Sequence, residues 1–125
     1  MIDIAFGIVA AAALIGAILA VLYARGPEAK RVPWPVPAGH GVIGAVGLAV
    51  LASALRHGIG LGAARMGVSG FGITAAVLIG VALLLGLVIA ATSLRGKRPG
   101  GAVVAIHAAV AIAGFTLLLT IVALA

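Results

Sequence analysis

Gly70-Phe-Gly-Ile-Thr-Ala-Ala-Val-Leu-Ile-Gly-Val-Ala-Leu-Leu-Leu-Gly-Leu-Val-Ile-Ala-Ala-Thr-Ser-Leu94 runs without a single charged residue. A helix needs about 20 predominantly apolar residues to cross the hydrocarbon of a bilayer, and this stretch is long enough. Working outward from it, apolar runs predict spanning helices over about 4–24, 39–56, 70–94 and 102–125. The rest of the chain agrees: 65% of its 125 residues are hydrophobic and only 8% charged, with a mean hydropathy of +1.41. A soluble domain carries roughly a quarter of its residues as charges, so this chain lacks the polar coat of one. The fold class expected is all-α: an integral membrane four-helix bundle, up-down-up-down, forming a single transmembrane domain over 1–125.

Met-Ile-Asp precedes the first apolar run without Lys or Arg, so that run reads as a retained helix and not as a cleaved signal. Cysteine is absent, which removes disulfides, thiolate metal sites and redox thiols. The pI near 11.7 reflects cations placed beside the apolar runs, which points to topology and lipid headgroups and not to nucleic acid. Arg25, Lys30 and Arg31 lie in the first connection, and Arg95, Lys97 and Arg98 in the third. Arg56 and Arg65 alone fall on the opposite side. The positive-inside rule then makes the richer side cytoplasmic and puts both termini outside. The expected location is a bacterial inner membrane, with the lipid bilayer as the first partner.

The two halves resemble each other. His40, Gly44, Gly47 and Leu51 in the second helix match His107, Ala111, Gly114 and Leu118 in the fourth. These spacings follow the helical period, so each set forms one stripe on one face. In the helices before them, Gly16 precedes Arg25-Gly26 as Gly86 precedes Arg95-Gly96. A duplicated helical hairpin follows, with a pseudo-two-fold axis along the membrane normal. It brings His40 and His107 in from the same side at similar depth.

An ionisable side chain inside a span is a functional candidate by default, against the bland reading of a histidine as polar glue between helices. Glue needs no repeat symmetry, and two matched imidazoles suit the axial positions of one b-type haem. A divalent ion held by two imidazoles alone stays under-ligated, whereas haem brings four nitrogens of its own. A flat porphyrin also needs small residues where helices approach it, which Gly16, Gly44, Gly47, Gly86 and Gly114 supply on or near the stripes. Arg25, Arg31, Arg95 and Lys97 stand near the basic face, where propionates would find them, or where they simply anchor topology.

His-bearing helices with glycine two turns further on resemble the four-helix membrane cytochromes b. The resemblance covers the helical part of the chain and implies His40 and His107 as axial ligands, with Gly16, Gly47, Gly86 and Gly114 as packing positions. Members that carry electrons across a bilayer generally hold two haems. Here the outer half offers only His57, whose counterpart in the fourth helix is Leu124, so one haem is expected and His57 reads as a hydrated helix end. The function implied is electron transfer within the membrane, with quinone or a partner enzyme, by a carrier or redox subunit more than by a stand-alone enzyme.

Other classes fit less well. Small multidrug transporters use a carboxylate buried in the first helix, but Asp3 is terminal and Glu28 lies in a connection. Thr74, Thr92, Ser93, Thr116, Thr120 and Ser53 are too scattered for a polar channel, and no Ser-His-carboxylate set exists for hydrolysis. The alternative of most weight is a haem-free accessory subunit of a larger respiratory or photosynthetic complex, or a homo-oligomer, packed through its Ala- and Gly-rich faces. Trp34, between Pro33 and Pro35 in an extended connection, and Tyr23 read as interfacial anchors.

Overall fold

A computed structural model describes residues 1–26, 32–58, 67 and 69–124. Glu28, Lys30, Arg31 and Arg65 lie outside the described residues, as does Ala125 at the end of the fourth predicted run. The described residues form four helices: α1 Ile2–Ala24, α2 Pro35–His57, α3 Ser69–Leu94 and α4 Gly101–Leu124. All four are long and apolar enough to cross a membrane. At about 1.5 Å per residue they run roughly 35–39 Å, against about 30 Å of bilayer hydrocarbon.

The helix ends follow from local chemistry. Arg25-Gly26 stops α1 and Arg95-Gly96 stops α3 in the same way: the glycines take φ of +88° and +70°, the left-handed region where a side chain is strained. Gly26 N–H donates to Tyr23 O and Gly96 N–H to Ser93 O, at 3.1 and 3.0 Å. The start of α2 differs from the sequence expectation. The helix begins at Pro35, four residues before Gly39, and Trp34 already has helical φ and ψ of −54° and −29°. Prolines break a helix interior but fit its first turn, where no N–H is needed. Trp34 is thus no part of an extended linker; it stands 73% exposed at a helix N-terminus.

Within the first hairpin α1 and α2 run antiparallel, since Gly16 meets His40 while Gly47 meets Val9. The second hairpin repeats this, with Gly86 at His107 and Gly114 at Ile79. Each helix also packs on one helix of the other hairpin, α2 on α3 and α1 on α4. Ile2, Ala5, Val9, Leu51, Ala54, Ala75, Ile79, Leu118 and Ile121 form the core. It fills the half of the molecule away from the Arg-Gly ends. Buried positions in α1 are 2, 5, 9 and 12, matched by 72, 75, 79 and 82 in α3; 47, 51 and 54 in α2 are matched by 114, 118 and 121 in α4.

Candidate functional site

His40 and His107 sit on the stripes that supply this core, about three turns from Leu51 and Leu118 toward the basic end. His40 lies about 7 Å along α2 from Pro35, and His107 about 9 Å along α4 from Gly101. Helical periodicity aligns His40 with Gly47, Leu51 and Ala54, all buried, and His107 with Gly114, Leu118 and Ile121. Both imidazoles therefore turn inward, and both are half-buried. Their ring centroids stand 6.1 Å apart, with the planes at 81°.

A polar ring in apolar surroundings must find a partner. His40 Nδ1–H donates to the carbonyl of Ala12 at 2.9 Å, and His107 Nδ1–H to that of Ala82 at 2.8 Å. A carbonyl cannot donate, so each bond places a proton on Nδ1, and in the neutral imidazole this leaves a lone pair on Nε2. Among the described residues no hydrogen bond engages either Nε2. No third His, Cys, Asp or Glu among the described residues joins the pair, and the pair itself presents two ring nitrogens.

The glycines fall into three places. Gly16 and Gly86 lie against the imidazoles: a Cβ on Gly16 would come within 2.8 Å of His40 Cε1, and one on Gly86 within 3.3 Å of His107 Cε1. Gly47 and Gly114 lie at the helix crossings, where a Cβ would meet Val9 Cγ2 at 2.8 Å and Ile79 Cγ1 at 3.0 Å. Gly44, one turn beyond His40, has nothing within 4 Å of its Cβ position.

Arg25 and Arg95 occupy the turns that end α1 and α3, both exposed, roughly 13 Å along the helices from Gly16 and Gly86. Arg25 heads a surface groove of about 390 Å³ whose other walls are Ala17, Ile18, Val21 and Leu22, away from both histidines. Lys97 and Arg98 are exposed in the connection after α3. Arg98 is ordered by Tyr23: Nη2 donates to Tyr23 O at 3.0 Å, and the guanidinium lies 4.7 Å from the ring centroid. Tyr23 OH donates to Pro99 O at 2.7 Å. His57 is exposed at the far end of α2, with Nδ1 on Ser53 O at 2.8 Å. At about 25 Å along α2 from His40, it takes no part in the pair.

Ala12 and Ala82 escaped sequence reasoning because their role lies in backbone oxygens. The available signal was the glycine four residues after each. Comparison with protein-family models, curated proteins and solved structures returns no match.

Proposed function

We propose that this chain is an integral membrane protein in which two copies of a helical hairpin form an up-down-up-down four-helix bundle around one bis-histidine b-type haem. The supporting observation is the imidazole pair. The ring centroids stand 6.1 Å apart, so His40 and His107 are the residues that would hold the haem iron. The Nδ1–carbonyl bonds match the usual support of a ligating histidine, which orients the ring and makes Nε2 a better donor.

When bound, haem would supply a one-electron iron couple. The chain's own part is to hold two imidazoles at fixed spacing, keep Nε2 unprotonated, and surround the pair with apolar side chains that limit water. The pair lies near the basic end and about 25 Å along the helices from the other. Redox partners, quinone or a partner enzyme, would meet the pair from this basic side, read as cytoplasmic. Both termini would then face outward from a bacterial inner membrane. A channel gains no support from Thr74, Thr92, Ser93, Thr116 and Thr120, each of which donates to a carbonyl of its own helix.

One observation favours a second reading, a haem-free accessory subunit of a larger membrane complex. The same two carbonyl bonds satisfy the histidines as ties within each hairpin. A dithionite-reduced minus air-oxidised visible spectrum of the detergent-purified protein separates the two. The expected result is a sharp α-band of low-spin b-type haem at about one haem per chain. A featureless spectrum after expression with added haem would overturn the haem reading and leave the accessory role.

A further inference from the structure

We infer that Gly16 and Gly86 are positioning residues that set the tautomer of the histidine pair, each by uncovering one backbone carbonyl for the imidazole to grip. The inference deepens the reading of His40 and His107 as ligands and rests on it for its purpose, but its geometry stands without haem. In an α-helix the carbonyl of residue i accepts the N–H of residue i+4 and keeps a second lone pair. Side chains tilt toward the helix N-terminus, so a side chain at i+4 covers that spare lone pair. Ala12 and Ala82 are the acceptors, and the residues four further on are Gly16 and Gly86. The missing side chains open the space that the imidazole edges occupy.

Contact distances in both hairpins tie glycine to ring. At Gly16 the Cβ position is 2.8 Å from His40 Cε1 and 3.5 Å from both Nδ1 and Nε2, so Cε1 points at the glycine. At Gly86 the corresponding distances are 3.3 Å to Cε1 and 3.7 Å to Nδ1 of His107. An added methyl at Gly16 cannot coexist with the ring where it stands, so His40 must withdraw and release the Ala12 carbonyl. At Gly86 a displacement of a few tenths of an ångström suffices. Once released, Nδ1–H loses its stabilisation over Nε2–H, and the nitrogen that should present a lone pair becomes protonated in part of the population.

The test uses the full chain, haem-free, in detergent or nanodiscs with ¹⁵N-labelled histidine. In the parent protein, NMR should give pyrrole-type Nδ1 and pyridine-type Nε2 signals for both His40 and His107. Gly16→Ala should convert His40 to a mixture of tautomers and leave His107 unchanged. Gly86→Ala should move His107 alone, and by less. Gly44→Ala, on the His40 stripe with open space at its Cβ, should move neither. In the haem-loaded protein, Gly16→Ala should weaken haem retention about 10- to 100-fold, the usual effect of losing such support, and raise the midpoint potential as the imidazole becomes a poorer donor. Nε2–H signals in the parent, or an unchanged His40 tautomer in Gly16→Ala, would overturn the inference. If Gly16→Ala does not fold, an unchanged His107 in the milder Gly86→Ala would overturn it equally. A parent with the expected tautomer that binds no haem would support the carbonyl grip and overturn the haem reading.

Discussion

The hairpin of α1 and α2 and the hairpin of α3 and α4 agree at the histidines and in the core and diverge at the rims and seams. Each has a histidine on a carbonyl, a glycine at the imidazole edge, a glycine at the helix crossing and an Arg-Gly stop. The buried positions match as well, but the rims and the seams between hairpins do not. Tyr23 reaches across to Pro99, whereas Ser93 at the equivalent position folds back onto Ile89 O. Phe6 stacks on Phe115 at 5.4 Å where α1 meets α4. The corresponding α2–α3 seam has Leu48 with the Cβ position of Gly80 at 3.7 Å. A task performed jointly on the pseudo-two-fold axis requires matched geometry there, while seams and rims can differ. The agreement includes the histidine pair, where a shared ligand would demand it, and extends through the core.

The largest effect should come from breaking that agreement. His40→Ala and His107→Ala should each abolish the low-spin haem spectrum, because a single axial imidazole cannot give a six-coordinate bis-histidine iron. His57→Ala should leave the spectrum unchanged. Reduced-minus-oxidised spectra of the three variants, at matched protein recovery, make the comparison. Bleaching by His57→Ala with an intact spectrum in His40→Ala would mean that the ligands had been assigned to the wrong end of the molecule.

A smaller effect should appear at the helix crossings, and it should be equal in the two hairpins. A Cβ on Gly47 would lie 3.4 Å from Val9 N, and one on Gly114 3.2 Å from Ile79 N. Backbone cannot swing aside as a side chain can, so a bulky residue must part the helices. Gly47→Val and Gly114→Val should each destabilise by about 1–3 kcal/mol, the range for overpacking. Gly7→Val, with nothing within 4 Å of its Cβ position, should lie within about 0.5 kcal/mol of the parent, as for a surface change. Denaturation monitored by far-ultraviolet circular dichroism in mild detergent gives the differences. A strong effect at Gly114 with none at Gly47 would show that the hairpins are not packed alike.

Much of this architecture is legible in the chain because its strongest signals are crude. Uncharged apolar runs marked all four helices, and the His-Gly-Leu spacing marked two matching faces. The start of α2 was obscured because Pro35 and Pro37 read as punctuation, although proline is at home in a first helical turn. The glycines were visible as small residues near the pair, but one letter cannot say what the space is for. In the structure Gly16 and Gly86 face imidazole edges, and Gly47 and Gly114 face a neighbouring helix. The carbonyls of Ala12 and Ala82 were beyond sequence reasoning, since every residue has a carbonyl and only packing selects two. The joining of Tyr23, Arg98 and Pro99 was hidden for a similar reason, as it spans 75 positions or more of chain.

That last cluster gives the smallest expected effect and sharpens the contrast between hairpins at the rim. Tyr23→Phe removes the hydroxyl that donates to Pro99 O while keeping the ring under Arg98. One neutral hydrogen bond is worth about 0.5–1.5 kcal/mol net, and Tyr23 is only half-buried, so the lower part of that range is expected. Ser93→Ala should change stability less, because its hydroxyl serves only its own helix. Neither substitution touches the histidines, so both should leave the reduced-minus-oxidised spectrum in place. If Tyr23→Phe and Ser93→Ala were equivalent in stability, the rim contact would contribute nothing measurable. The two hairpins would then be energetically alike at the basic rim despite their different contacts, and the Tyr23 hydroxyl would add no tie between α1 and the α3–α4 connection.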